Sequence, residues 1–81
     1  MADVTHSPDT SRFESGEAFL SYVRSGNALD IQHTIVPPEM SGQGVGGALV
    51  RDAVAFARAE GLEVVATCSY ARAWLEEHPD A

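Results

Sequence analysis

The chain has 81 residues, 44% of them apolar, and a formal net charge of -7 with five arginines and no lysine. That length gives one small domain, residues 1–81, burying about 60–65% of its unfolded surface, and that apolar content excludes a disordered chain. No apolar run approaches the roughly 20 residues of a membrane span, and the acidic balance leaves no basic surface to neutralise nucleic-acid phosphates.

An acidic protein instead favours cationic partners, such as an amine or a basic peptide. The start, Met1-Ala2-Asp3-Val4-Thr5-His6-Ser7, has no basic stretch followed by an apolar one, so no secretory signal is read there. The lone Cys68 cannot close an intrachain disulfide. Both features point to the cytoplasm.

Residues 1–10 are polar, with Ser-Pro-Asp turn chemistry at 7–9. They read either as frayed or, through Val4-Thr5-His6, as a short edge strand. Residues 11–14 read as another short strand, closed near Gly16. Residues 17–24 and 28–36 are two β runs joined by Ser25-Gly26-Asn27, the pattern of a hairpin. In the first run Phe19, Ser21 and Val23 share a face, opposite Leu20, Tyr22 and Arg24. In the second, strict alternation puts Leu29, Ile31, His33 and Ile35 together, opposite Asp30, Gln32 and Thr34.

The second run ends in Val36-Pro37-Pro38. A glycine-dense turn then opens into a helix over 45–60, whose stripe is Val45, Ala48, Leu49, Ala53, Phe56 and Ala57. Gly61 is its C-terminal stop. Residues 62–68 are a short apolar run typical of a buried strand. A strand, a helix and a second strand make a right-handed βαβ crossover with parallel strands. A short helix over 70–77 follows, with Ser69 as its cap, Ala71, Trp74 and Leu75 as its apolar side, and His78-Pro79 as its end. The fold class is α+β (mixed α/β): an antiparallel β meander leading into one βαβ unit, with a short C-terminal helix. An exposed edge in so small a sheet gives a monomer or a homodimer.

The turn Ser41-Gly42-Gln43-Gly44-Val45-Gly46-Gly47 carries the chemistry. Glycines leave backbone N–H groups uncovered, and the first turn of a helix adds unpaired donors and the positive end of the macrodipole. That is a cradle for a phosphate or pyrophosphate, or else only a tight strand-to-helix connection. The dinucleotide fingerprint does not fit, because Leu49 stands where its last glycine falls, and no Gly-Lys-Ser/Thr follows to make a P-loop. No two potential ligands show metal-site spacing, so no metal is expected.

The meander, the Val-x-Pro ending, Gly-x-Gly-x-Gly, a four-turn helix and a buried strand together resemble the GNAT superfamily of N-acetyltransferases. The resemblance is closer to a minimal, single-domain GNAT-like subfamily, through His33-Thr34, Val36-Pro37, Cys68 and His78-Pro79, over about residues 12–80. The chain keeps Gly44 and Gly46 of the superfamily loop and has Ser41 where arginine or glutamine usually stands. The resemblance implies an acetyl-CoA-dependent N-acetyltransferase, moving acetyl to an amine on a small molecule or protein in a ternary complex. It implies that the strand before the loop splays from the strand after the helix, that Ile35 and Val36 meet the pantetheine arm there, and that residues 42–47 hold the pyrophosphate. The alternative is a CoA-binding or protein-interaction module without turnover.

Three side chains are candidates for catalysis. Cys68 stands at the C-terminal end of a parallel strand, where ligands bind in open α/β sheets. It reads as a core thiol, a pocket wall, an acid for the departing thiolate or a nucleophile. His33 reads as a satisfied core residue or as a general base. Tyr70 reads as a packing residue or as a donor to the leaving thiolate. Arg72 reaches a phosphate or is solvated. His6 and His78 are too isolated in the sequence to interpret.

Overall fold

The protein, described here from a computed structural model, is characterised over residues 3–81; Met1 and Ala2, the start of the segment read as frayed or as an edge strand, lie outside the described residues. Strand β1 (Thr5–Ser7) leads through a 3-10 turn at Pro8–Thr10 into β2 (Arg12–Ser15). Then come β3 (Ala18–Ser25) and β4 (Ala28–Ile35), a 3-10 turn at Pro38–Met40, helix α1 (Val45–Ala59), β5 (Glu63–Ala66) and helix α2 (Ser69–Glu77). The five strands lie in chain order, β1-β2-β3-β4-β5. All neighbours are antiparallel except β4 and β5, which the α1 crossover makes parallel.

One face of the sheet is covered. Phe13, Leu20, Tyr22, Leu29 and Ile31 meet Leu49, Val50, Ala53, Val54 and Ala57 of α1, and Ala71 of α2 joins the same cluster. The stripe on α1 is broader than its periodicity suggested: Val50 and Val54 are fully buried, whereas Phe56 sits at the margin. Gly61, at φ 72°, closes α1. Its amide bonds the Arg58 carbonyl and the Leu62 amide bonds that of Ala57, so two orphan carbonyls are satisfied as in a Schellman motif.

A bulge corrects the alternation of β4. Ser21 pairs with His33, but its neighbour Tyr22 pairs with Ile31, so Gln32 is an extra residue on β4. One inserted residue exchanges the faces beyond it. Thr34 therefore joins Leu20 on the covered side, and His33 and Ile35, expected beside Ile31, turn out to solvent. The strand read over 62–68 is also corrected. It shortens to Glu63–Ala66, and Val65 is exposed because no element of the described residues covers that side of the sheet.

The N-terminal strand is held by aromatic packing that sequence spacing did not reveal. The His6 ring stacks on Phe13 with centroids 4.1 Å apart and meets the edge of Phe56 at 4.4 Å. Its Nε2 lies 2.7 Å from the Tyr22 hydroxyl. Burial holds the His6 pKa below that of free imidazole. A depressed folded value means that the stability it contributes is complete above the unfolded pKa of about 6.5 and is lost as pH falls through the lower folded value. The melting temperature should therefore decline below that point, and His6→Phe should flatten this part of the curve in a thermal-melt series against pH.

Candidate functional site

The site begins where β4 and β5 part. They pair from Ala28↔Glu63 to Ile31↔Ala66 and no further. The Ile31 carbonyl accepts the amides of both Thr67 and Cys68, each at 3.0 Å. The Asp30 carboxylate accepts the Thr67 amide at 3.0 Å, the Thr67 hydroxyl at 2.9 Å and the Gln32 side-chain amide at 2.8 Å. These bonds turn the chain out of β5, while β4 runs on through Gln32, His33, Thr34 and Ile35 without a β5 partner. A wedge opens between the two strands.

The glycine turn closes one end of this region. Gly42 and Gly44 both adopt left-handed backbone, at φ 79° and 78°. Non-glycine residues pay about 1–2 kcal/mol there. A Cβ added at either would meet nothing within 4 Å, so it would project into open space. Gly44 is the N-cap of α1 and brings no side chain to cap it. The amides of Val45, Gly46 and Gly47, with no carbonyl one turn back to bond, are therefore left as donors. A cleft of about 350 Å³ lies over them, lined by Val36, Met40, Ser41, Gly42, Gly44, Val45, Gly46 and Tyr70. Gln43 is exposed in the same turn. The Ser41 hydroxyl donates to the Pro38 carbonyl at 2.9 Å.

Helix α2 packs against the first turn of α1. An added Cβ at Gly46 would lie 2.7 Å from the Tyr70 hydroxyl, and one at Gly47 would lie 3.3 Å from the Trp74 indole nitrogen. These two glycines are small for close approach, a different reason from the turn geometry of Gly42 and Gly44. Tyr70 remains half exposed at the rim of the cleft. Trp74 and Leu75 pack on the core. Trp74 also stacks on His78 at 4.1 Å, and the His78 Nδ1 lies 2.8 Å from the Trp74 carbonyl. His78 thus anchors the end of α2, as His6 anchors β1. Arg72 reaches the Ala66 carbonyl at 3.3 Å.

Cys68, not Ser69, occupies the N-cap position of α2. The Ile31 carbonyl holds the Cys68 amide, so the helix starts one residue earlier than the sequence suggests. The half-buried thiol faces Thr34, with sulfur and Oγ1 3.6 Å apart. Burial raises the thiol pKa, but the Ala71 amide, the Thr34 hydroxyl and the Tyr70 amide outweigh it, and the net shift is downward. A helix N-terminus lowers thiol pKa values in this way. Alkylation by iodoacetamide should follow a pH midpoint below that of the urea-unfolded protein, and Thr34→Val should move the midpoint back upward.

Thr34 and Cys68 thus come together on the covered side of β4. His33 is exposed on the other side of the sheet, which overturns its placement on the apolar face and removes the core reading. Asp30 and Thr67, which set the wedge, were not singled out from sequence. Their only signal is an acidic residue amid a β run and a β-branched polar residue at the end of another. Among the described residues, no three His, Cys, Asp or Glu side chains converge as metal ligands, and no helix is long and apolar enough to cross a membrane.

Comparison with known proteins agrees with this geometry. The solution structure of a GCN5-like protein from Staphylococcus aureus superposes with a TM-score of 0.76 at 31% identity, covering 94% of this chain and 79% of that one. No curated protein matches significantly. Residues 10–81 match the sequence profile described as GCN5-related N-acetyl-transferase. With the meander, the β4–β5 wedge and the glycine turn in place, the chain belongs to the GCN5-related N-acetyl-transferase family.

Proposed function

We propose that the protein binds acetyl-CoA and transfers its acetyl group to an amine by direct transfer in a ternary complex, acting in the cytoplasm as a monomer or homodimer. One observation carries the reading: two left-handed glycines deliver an uncapped helix start to an open cleft, beside a strand that has lost its partner. The residues present fit the cofactor. A diphosphate needs several convergent N–H donors, and residues 42–47 offer main-chain amides at a helix start that no side chain caps. A pantetheine amide needs unpaired strand backbone, and β4 toward Ile35 and Val36 runs past the end of β5. When bound, acetyl-CoA supplies an acetyl group activated as a thioester.

The chain's own groups take the remaining roles. The Val36 amide donates to the oxygen on which negative charge develops, since Pro37 and Pro38 after it have no N–H. Cys68, with its lowered pKa, or Tyr70 at the rim manages the proton of the departing thiol. His33, on the solvent side of β4, receives the amine proton directly or through water.

A second reading, a CoA-binding or protein-interaction module without turnover, is favoured by two features. Ser41 spends its hydroxyl on Pro38. The side of β4 bearing His33 has no enclosing wall. Calorimetry with CoA and with acetyl-CoA should show binding to the wild-type protein. Acetyl transfer to a panel of amines, with Cys68→Ala as control, then separates the readings: binding without any acetylated product favours the module.

A further inference from the structure

The cleft over the glycine turn has a neighbour. Tyr70, Trp74 and His78 follow one another in steps of four along α2 and its C-terminal cap, so their rings form one stripe. That stripe runs beside the first turns of α1. The Tyr70 hydroxyl faces Gly46, the Trp74 indole faces Gly47, and His78 stacks on Trp74 at 4.1 Å. A second cleft, of about 420 Å³, opens beyond the glycine turn, with Arg51, Trp74 and His78 in its lining. Tyr70 lines the first cleft and Trp74 the second, so the aromatic stripe joins them.

Arg51 is placed for an anion. It stands one helical turn after Gly47, about 6 Å along the axis of α1. Side chains on a helix lean toward its N-terminus, here toward the glycine turn. Among the described residues its one ion pair is with the adjacent Asp52, at 3.9 Å, with side chains 66% and 43% exposed. Such a pair holds the guanidinium weakly. The other four arginines are engaged or placed elsewhere. Arg12 lies over Phe19 and Arg24 beside Glu60. Arg58 is in the last turn of α1, and Arg72 bonds the Ala66 carbonyl.

We propose that this second cleft takes the adenosine end of coenzyme A, with the base against Trp74 and His78 and the ribose 3′-phosphate on Arg51. The proposal rests on the reading that residues 42–47 hold the diphosphate, and it names what the chain does with the nucleotide beyond. Diphosphate and 3′-phosphate hang from one ribose, so two anion sites a helical turn apart suit this ligand. The aromatic wall suits the base that the same ribose carries. Glu77 and Asp80, further along the chain from Tyr70, line the same cleft. Their carboxylates repel a phosphate and accept from the exocyclic amine of adenine. The charge pattern thus sets the phosphate toward Arg51 and the amine toward Glu77 and Asp80.

Trp74 is the only tryptophan, so its emission reports this cleft without any turnover. The protein is titrated with CoA and with 3′-dephospho-CoA, by fluorescence and by calorimetry. CoA should alter Trp74 emission and bind about tenfold more tightly than the dephospho form, the gain of one guanidinium–phosphate pair. Arg51→Gln should lose that preference by weakening CoA about tenfold while leaving the dephospho form unchanged. Arg58→Gln, at the other end of α1, should keep the preference. Trp74→Leu, checked for folding by thermal melting, should weaken both ligands alike. Equal binding of the two ligands by the wild type, a preference that survives Arg51→Gln, or CoA binding with Trp74 emission unchanged would overturn the proposal. Binding of neither ligand would instead bring down the diphosphate reading, and this proposal with it.

Discussion

Replacing Gly44 with alanine should lower CoA affinity by at least about 30-fold while leaving the protein folded. The loss corresponds to about 2 kcal/mol, within the 1.5–3 kcal/mol of one hydrogen bond to a charged group. Alanine at φ 78° is strained. Either the turn relaxes and swings its amides off target, or the new methyl stands in the cleft itself. Gly26 provides the control. It has φ 59° in the β3–β4 turn, and its added Cβ also meets nothing within 4 Å. Gly26→Ala should cost a similar ~1–2 kcal/mol of stability with CoA affinity unchanged, since that turn is at the far end of β4 from the glycine loop. Calorimetry and thermal melting of both variants resolve the two effects. Equal affinities for Gly44→Ala and wild type would remove the glycine turn from the binding site.

Leu49→Ala should be the most damaging core substitution. Leu49 is fully buried, and it fixes α1 to a sheet on whose other side the described residues place no helix. Such truncations cost about 2–5 kcal/mol, against roughly 4–12 kcal/mol for a whole domain of this size. The melting temperature should fall by at least about 10 °C. Val65→Ala, at the exposed face, should stay within about 0.5 kcal/mol of wild type. Equal losses for the two would mean that the helix-side cluster is not the dominant source of stability.

Most of the architecture could be read from the chain because each element has a clear period. The β3–β4 hairpin declares itself through alternation around Ser25-Gly26-Asn27, and α1 through its stripe between Gly44 and Gly61. The parallel pairing of β4 with β5 follows from the crossover. The misreadings have local physical causes. A bulge adds one residue without any compositional mark: Gln32 looks like any polar residue in a strand, yet it decides that Thr34 rather than His33 shares the interior with Cys68. The run at 62–68 is apolar enough for a strand buried on both sides, but among the described residues no element lies over its second side. The start of α2 is fixed by a tertiary bond from Ile31, which outweighs serine's intrinsic preference for a cap. The glycine turn leading into α1 was legible, but the two kinds of glycine in it were not. Gly42 and Gly44 serve backbone geometry, whereas Gly46 and Gly47 make room for Tyr70 and Trp74.

Strands that sit side by side in the order in which they are synthesised have a kinetic consequence. Each new strand finds its neighbour already present, so the meander up to β4 assembles through short loops. Only one closure spans a long segment, the one that brings β5 across α1 to β4. Loop-closure entropy is therefore concentrated in a single late event. The wedge, which depends on where that last strand stops, is expected to be the final feature to form and the first to open on denaturation.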